Sequence, residues 1–252
     1  MTDAPFPPAR ANEVRASKDE VFADAPAGVE GWLTDAQADR LAAAARRLGP
    51  GALVVEIGSF RGRSTIVLAR AAPADAEVVA IDPHLGSDRG PQEIAARPGL
   101  GEADLAAFRA NLERFGVAGR VRHVRAPSQD ALEAVEGAVD LLYVDGAHRY
   151  RPARADLQRW GARVRAGGAL LVHDAFSSVG VTLALLRGVV FAGEWRYRGR
   201  AGSLAEYVRA PVSGRARAGN AAAQLAQLPW FARNLVVKAL IVARLRSGPW
   251  PY

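Results

Sequence analysis

The stretch ALVVEIGSFRGRSTIVLARA, residues 52–71, constrains the fold of this chain more than any other. Its first six residues are apolar except for Glu56 and include two adjacent valines. Such a run is typical of a strand that is buried on both faces, as in a parallel sheet. Gly58 follows at once and predicts a sharp turn at the end of that strand.

The second half of the same stretch predicts a helix. Ser64 and Thr65 precede a new apolar run, so we expect the helix to begin near Gly62 with its first amide groups unpaired. Those amides attract anions, whereas the carboxylate of Glu56 attracts cations. Because open α/β sheets bind ligands beyond the carboxyl ends of their strands, we expect a ligand with both charge signs near Gly58.

Strands and helices alternate along most of the remaining chain. Further strands are predicted at 77–81, 120–125, 140–144 and 169–173, and helices at 34–48, 103–115, 130–136, 150–164 and 177–190. Two last strands, 194–198 and 203–208, flank the turn sequence GRAG and predict an antiparallel hairpin. The pattern predicts an α/β fold with a doubly wound, mostly parallel, seven-stranded sheet and a C-terminal antiparallel hairpin.

Composition divides the chain into three parts. Residues 1–30 are predicted to be a loose, flexible arm, 31–210 a single domain, and 211–252 a linker, placed at 221–226, followed by a basic, apolar C-terminal helix. The arm is acidic and broken by prolines, which is not typical of a secretory signal, so we expect a cytoplasmic protein. The chain has no cysteine, which excludes disulfides and thiolate chemistry. The loop 84–101 is predicted to lie over the site.

Positive charge is concentrated in the last quarter of the chain. The net charge is +7, but residues from Arg187 onward hold eleven Arg and Lys against two Glu. Because the predicted site lies elsewhere, this distribution argues against nucleic acid as a partner. In the C-terminal helix, Lys238 interrupts the apolar residues, which fall short of the roughly 20 needed to span a bilayer. Its basic residues are scattered, so we expect contact with its own domain or across a homodimer, in preference to lipid.

Polar residues follow each predicted parallel strand, where this architecture places ligand-binding groups. Asp82 stands 24 positions after Gly58 and can accept both hydroxyls of a ribose, or it can cap a turn. Ser128 and Gln129 can hydrogen-bond an adenine edge, although Ser128 can also cap a helix. Asp145 and Asp174 follow the fourth and fifth strands. Together these positions indicate a nucleoside-containing ligand.

Five segments in this order carry a resemblance to a known family. EIGSFRGRS, AIDPH, APSQD, VDLLYVDGAHRY and AGGALLVHDAF resemble the strand ends of class I S-adenosylmethionine-dependent methyltransferases, and among these the catechol O-methyltransferase-like small-molecule group. The resemblance runs from Leu53 to about Val208. It implies a Rossmann-like fold and the cofactor S-adenosylmethionine.

The resemblance also implies a role for each matching residue. Gly58, Ser59 and Gly62 would approach the methionine part of the cofactor, Ser64 would bind its carboxylate and Glu56 its ammonium group. Asp82 would bind the ribose, and Ser128 and Gln129 the adenine. The implied cofactor-binding set is therefore Glu56, Gly58, Ser59, Gly62, Ser64, Asp82, Ser128, Gln129 and Asp145.

Asp145 would also bind a divalent cation, Mg²⁺ or Mn²⁺, together with Asp174, although Ala175 stands at the group's third ligand position. His148 occupies the place of the lysine that deprotonates the substrate in the catechol enzymes, and a neutral imidazole can do the same. His148, Asp145 and His173 form the predicted catalytic set.

The sequence therefore predicts O-methylation of a hydroxyl on a small molecule. Gly146 and Ala147 replace the aromatic neighbours of the catechol pocket, which suits a sugar or natural product as well as a phenol. Two alternatives stay open. One is a noncatalytic binding protein on a methyltransferase scaffold; the other is a nicotinamide-dependent oxidoreductase, although Phe60 replaces the middle glycine of its usual motif.

Overall fold

The computed structural model describes residues 26–87 and 95–247. Most of the predicted arm, part of the 84–101 loop and the last five residues lie outside these ranges. Within the described residues, Val29 and Leu33 are buried in the core. The guanidinium of Arg63 holds this segment by donating to the carbonyls of Val29 and Leu33, each at 2.9 Å. The packed domain therefore begins before residue 31, where the sequence analysis placed its start.

The described residues form a seven-stranded sheet with the order β3-β2-β1-β4-β5-β7-β6. The first five strands pair in parallel, whereas β7 runs antiparallel to both β5 and β6. This arrangement confirms the predicted mostly parallel sheet with its C-terminal hairpin. The strands are β1 Leu53–Ile57, β2 Glu77–Ile81, β3 Val121–Val124, β4 Val139–Val144, β5 Val164–Val172, β6 Trp195–Ala201 and β7 Leu204–Arg209.

Helices cover both faces of the sheet. The described α-helices are α1 Asp35–Arg46, α2 Arg63–Ala71, α3 Pro98–Arg114, α4 Tyr150–Arg159, α5 Val179–Leu185, α6 Gly214–Leu225 and α7 Leu228–Val242, and a π-helical turn, Leu186–Val190, continues α5. The start of α1 follows from its sequence, because the side chains of Thr34 and Gln37 cap each other's backbone amides.

One side of the sheet packs on α1–α3 and the other on α4 and α5. Alternate residues of β1 and β4 enter the two cores, so Val54 and Leu141 face one side whereas Val55 and Leu142 face the other. Each of these four side chains has no exposed surface. The centre of the sheet is therefore buried on both faces, as the unbroken apolar run at 52–57 predicted.

Three predicted elements differ from the structure. Residues 130–136 form only a short 3₁₀ turn, Leu132–Ala134, because Arg163 donates to the carbonyls of Leu132, Val135 and Gly137 that a longer helix would use. Helix α3 begins at Pro98 rather than residue 103, since proline suits a first helical position. The predicted linker at 221–226 lies almost wholly in α6, because alanine is the strongest helix former.

The C-terminal helices lie along the domain. Asn220 of α6 bonds the backbone of Trp195 and Tyr197, and the guanidinium of Arg200 lies 3.8 Å from the ring centre of Trp230 at the start of α7. The terminal helix thus contacts its own domain, as predicted, while a homodimer contact stays a prediction. The span Gly214–Val242, which contains α6, a two-residue turn and α7, is long and apolar enough to cross a membrane by length and composition alone, with 29 residues and a best-window mean hydropathy of 1.3.

Candidate active site

One large cavity, of about 1470 Å³, opens at the carboxyl ends of the central strands. It is large enough for a nucleoside cofactor together with a second small molecule. The predicted site residues that line it come from five separate strand ends: Gly58, Ser59, Ser64, Asp82, Ser128, Gln129, Asp145, His148, His173 and Asp174. Two predicted residues, Glu56 and Gly62, do not line it.

The loop after β1 is held in place by Asp82 and His84. One oxygen of Asp82 accepts the amides of Ser59 and Phe60 at 3.0 and 2.9 Å, and the other accepts the amide of His84 at 2.7 Å. The His84 ring nitrogen Nε2 lies 2.8 Å from the carbonyl oxygen of Phe60. Asp82 therefore fixes the loop and still faces the cavity. Sequence reasoning gave His84 no role, although its position two residues after Asp82 is a signal for such a contact.

Gly58 serves the packing of the two central strands. Its φ is +87°, and a Cβ at this position would lie 2.2 Å from the carbonyl oxygen of Asp145. The glycine is thus required because the loops after β1 and β4 approach each other closely, in addition to any ligand contact. Gly62 also has a positive φ, and its missing side chain makes room for Phe108 of α3.

Glu56 lies behind the cavity wall, fully buried. Its two oxygens accept the hydroxyls of Ser64 and Thr65 at the start of α2. Burial is the largest cause that raises the pKa of Glu56, to about 8. In this structure Glu56 adjoins the cavity through Ser64, and its contact with the cofactor ammonium group stays a prediction.

The predicted adenine residues converge on a side chain that sequence reasoning missed. Ser128 and Gln129 both donate to one oxygen of Asp156, at 2.5 and 2.6 Å. Asp156 lies on the buried face of α4, and its burial raises its pKa to about 6. The side-chain oxygen Oε1 of Gln129 is buried and accepts no hydrogen bond from the described residues. The signal for Asp156 is its place on the helix, one residue before the buried Leu157 and three after the buried Ala153.

Two aspartates and two histidines meet at the other end of the cavity. His148 Nε2 lies 3.1 Å from Asp174 Oδ2 and 3.7 Å from Asp145 Oδ1. His173 Nδ1 lies 3.1 Å from Asp145 Oδ1 and 3.6 Å from Asp174 Oδ2. The hydroxyl of Tyr143 donates to the second oxygen of Asp145 at 3.0 Å. The structure thus brings together the residues predicted to be catalytic and adds Tyr143, which sequence reasoning missed.

The opposite charges in this cluster set its titration. Burial alone would raise the pKa of Asp145, but His173 and His148 outweigh burial and lower it. In Asp174 the same histidines lower the pKa despite burial. Burial opposes the charged form of His173 as well, yet Asp145 and Asp174 raise its pKa to about 10. The pKa of His148 is also raised, because both carboxylates outweigh burial. The opposite charges therefore stabilise the ionised carboxylates and the protonated form of His173, and they raise the pKa of His148 from its ordinary value.

The backbone around Asp174 is unusual. Asp174 and Phe176 have φ values of +54° and +56°, which is rare for residues other than glycine and concentrates at functional sites. Lys238 of α7 approaches the same turn and donates to the carbonyl and hydroxyl of Ser177, both at 2.9 Å. A residue from outside the predicted domain thus completes this end of the cavity.

A divalent cation fits this cluster. Asp145, His148 and Asp174 each offer one ligand atom, and these atoms lie within 4.8 Å of one another. Carboxylate oxygens suit Mg²⁺ and Mn²⁺, and an imidazole suits Mn²⁺ better. Ala175, at the predicted third ligand position, is fully buried and offers no ligand side chain. His148 would replace it in the ligand set.

Comparison with known proteins bears on this arrangement. Residues 55–175 match the family model described as a methyltransferase domain. Over 122 residues, the chain is 33% identical to the catechol O-methyltransferase of Mycobacterium tuberculosis. That alignment covers 48% of this chain and 46% of the relative, so the chain matches about half the length of that curated relative.

Solved structures share the fold. An O-methyltransferase from Streptomyces achromogenes involved in tomaymycin synthesis, solved with S-adenosylmethionine, has a TM-score of 0.53 and 20% identity, covering 80% of this chain and 93% of its own. An O-methyltransferase from Bacillus cereus, solved with S-adenosylhomocysteine, has a TM-score of 0.54 and 18% identity, covering 78% and 94%. Together with the family match, these likenesses confirm the resemblance predicted from the sequence and the Rossmann-like methyltransferase fold.

Proposed function

We propose that this chain, whose residues 55–175 match the model of a methyltransferase family, is an S-adenosylmethionine-dependent O-methyltransferase that acts on a hydroxyl of a small molecule. The observation that carries the proposal is one cavity with two chemically distinct ends. The Ser128–Gln129 end suits a nucleobase, and the Asp145–His148–Asp174 end suits a hydroxyl that must lose its proton.

The cofactor would lie across the strand ends. The amino group of the adenine would donate to the unpartnered oxygen of Gln129. A ribose hydroxyl would reach Asp82 Oδ1, which among the described residues accepts only the His84 amide and keeps a lone pair, whereas Oδ2 already accepts two amides. The first amides of α2, that of Ser64 among them, would bind the methionine carboxylate, because the Ser64 hydroxyl already donates to Glu56. These contacts place the sulfonium near Asp145, at the acceptor end of the cavity.

Methyl transfer at this site would be an in-line displacement. The acceptor oxygen attacks the methyl carbon, the carbon–sulfur bond breaks, and its electron pair neutralises the sulfonium to leave S-adenosylhomocysteine. The hydroxyl proton passes to Nε2 of neutral His148, and Asp174 and Asp145 stabilise the resulting imidazolium. The chain contributes mainly by holding the two reactants in line.

Asp145, His148 and Asp174 would hold a divalent cation, in which case His148 is a ligand rather than the base. A bound cation would hold the acceptor oxygens and lower the pKa of the attacking hydroxyl.

Within the family resemblance, sugars, phenols and other hydroxylated natural products are the acceptor classes proposed. A cytoplasmic location also stays a proposal.

Transfer of labelled methyl from S-adenosylmethionine to a panel of phenols and glycosides tests the function. We expect labelled product with at least one acceptor, and loss of product in Asp145→Asn. Cofactor binding without transfer to any acceptor would favour the noncatalytic alternative, and absence of cofactor binding would overturn the proposal. Repeating the assay with a chelator assigns His148: activity that persists makes it the base, whereas activity restored by Mg²⁺ or Mn²⁺ makes it a ligand.

A further inference from the structure

The last helix of the described chain leaves several apolar residues exposed, although Val237 is buried and Trp230 and Phe231 pack against the core. Two polar residues of α7, Asn234 and Lys238, point toward the domain, where Asn234 is fully buried and Lys238 bonds Ser177. A second side of the helix, with the capping residue Ala243, is exposed and apolar; it consists of Ala232, Val236, Ala239, Val242 and Ala243, of which Ala239 and Val242 also line the cavity. We call these five residues the outer face of α7. Their spacing of three or four residues gathers them on one side.

A surface helix in water usually keeps its apolar residues on the buried side, and α7 exposes a second apolar side as well. Val236 and Val242 are 59% and 63% exposed. Across Gly214–Val242, only 11% of the most apolar window is buried within the protein. The apolar surface also continues to α5, where Val179 lines the same cavity as Val242 and is 50% exposed. A contiguous apolar surface of this kind marks a contact with another apolar phase or molecule.

The charge around the outer face indicates what covers it. Residues 211–252 contain six basic and no acidic residues. Arg233 flanks the outer face, and Arg244 and Arg246 follow the end of α7. A twofold contact between two copies would bring these cations against each other with no carboxylate from the same segment to pair them. An anionic lipid surface supplies both a negative layer for the arginines and an apolar layer for the outer face.

The contacts of α6 and α7 with the domain decide between lying on a membrane and crossing it. Asn220, the Arg200–Trp230 stack and Lys238 fix the helices to the domain at both ends and in the middle. A helix fastened in this way meets a bilayer with its free side only. We propose that the outer face of α7, with Arg233, Arg244 and Arg246, docks the protein on the surface of an anionic membrane. This replaces the expectation from sequence that the tail avoids lipid.

Vesicle sedimentation of the full chain tests the proposal without cofactor or activity. We expect binding to vesicles of phosphatidylglycerol and phosphatidylcholine, weaker by about tenfold or more for phosphatidylcholine alone. Raising the salt from about 0.1 M to about 0.5 M should weaken binding to the anionic vesicles, because the arginines are then screened. Equal binding to both vesicle types, or no binding to either, overturns the proposal.

A matched pair of variants locates the surface. Ala232→Glu/Ala243→Glu places two carboxylates on the outer face, whereas Ala106→Glu/Ala110→Glu places two on the exposed side of α3 with the same change in composition and net charge. Glutamate is a good helix former, so both variants should keep the helix content seen by circular dichroism. We expect about a tenfold loss of vesicle binding for the α7 pair and less than about a twofold loss for the α3 pair.

Two results would contradict the assignment. Equal losses in the two variants would show that net charge, rather than the outer face, governs binding. A dimer by light scattering that the α7 pair dissociates, without vesicle binding by the parent protein, would make a second copy the occupant instead.

Discussion

Asp156 is a buried carboxyl whose ionisation opposes folding. Its folded pKa of about 6 lies above the ordinary value of 3.8, so the fold favours the protonated form. Its contribution to stability is therefore full below about pH 4 and is lost as the pH rises through about 6. We expect Asp156→Asn to be more stable than the parent protein at pH 7.5, by about 1–3 kcal/mol, and similar to it near pH 4.

Urea unfolding at both pH values measures this difference. Asparagine keeps an oxygen that can accept from Ser128 and Gln129. The substitution therefore removes the ionisable group and retains the two hydrogen bonds. Asp130→Asn, at an exposed position nearby, is the matched control and should leave stability within about 0.5 kcal/mol at either pH. Equal stability differences at pH 4 and pH 7.5 would contradict the pKa assigned to Asp156.

His148 is the residue on which the proposed proton transfer depends. Because Asp145 and Asp174 raise its pKa, methyl transfer should increase with pH until His148 is neutral, above the ordinary histidine range. His148→Ala should lower kcat by about 10²–10⁴-fold and remove that pH dependence. Calorimetry should find S-adenosylmethionine affinity within about threefold of the parent. A variant with unchanged kcat would exclude His148 from the chemistry.

At the scale of elements, Glu206 fastens α1 to the sheet. The carboxylate of this β7 residue is 6% exposed and pairs with Arg40, at 3.0 Å, and with Arg47, both on or next to α1. Glu206→Gln leaves two arginines beside a neutral side chain, so we expect a loss of about 1–3 kcal/mol in the free energy of unfolding. The control is Glu77→Gln, whose pair with Arg122 is exposed on both sides and should cost less than about 1 kcal/mol. Equal costs would show that burial adds nothing to the Glu206 pairs.

Elements whose structure follows from local chemistry were predicted well from the sequence. The bounds of β2 agree residue for residue, and the helix predicted at 34–48 begins at Asp35, directly after its capping residue Thr34. The predicted secondary structure was wrong where contacts with residues distant in sequence determine the backbone conformation. The carbonyls of Leu132, Val135 and Gly137 accept from Arg163, which lies about one strand and one helix away in sequence, and only a short 3₁₀ turn forms there. The orientation of α7 also involves a distant residue, because Lys238 of α7 donates to the carbonyl of Ser177.

In the candidate site, too, the positions set by strand ends were predicted, whereas contacts between distant elements were not. Strand ends placed Asp82, Ser128, Asp145 and Asp174 around one cavity, because parallel strands end at the same edge of the sheet. The sequence could not show that Glu56 turns inward to Ser64 and Thr65, or that Asp156 would join Ser128. Those contacts run between elements, and residue types alone do not fix which of several polar groups faces the ligand.

At the scale of the whole molecule, cofactor binding should stabilise the entire domain, because the contacts proposed for it come from four neighbouring strand ends of the sheet. A ligand at about 100 times its Kd adds about 2.7 kcal/mol to the free energy of unfolding. For a chain of this size that shift corresponds to about 5–10 °C in Tm. We expect S-adenosylmethionine and S-adenosylhomocysteine to produce it in a thermal melt, and NAD to leave Tm unchanged.

The matched variant for this measurement is Gln129→Leu. It removes the side-chain oxygen that has no hydrogen-bond donor among the described residues and is proposed to accept the adenine amino group. Because a hydrogen bond between neutral groups contributes about 0.5–1.5 kcal/mol, Gln129→Leu should lower the cofactor-induced shift without abolishing it. Glu133→Leu, at an exposed position on the turn beyond Gln129, should leave the shift unchanged. A shift produced by NAD and not by S-adenosylmethionine would instead favour the oxidoreductase alternative and exclude the methyltransferase.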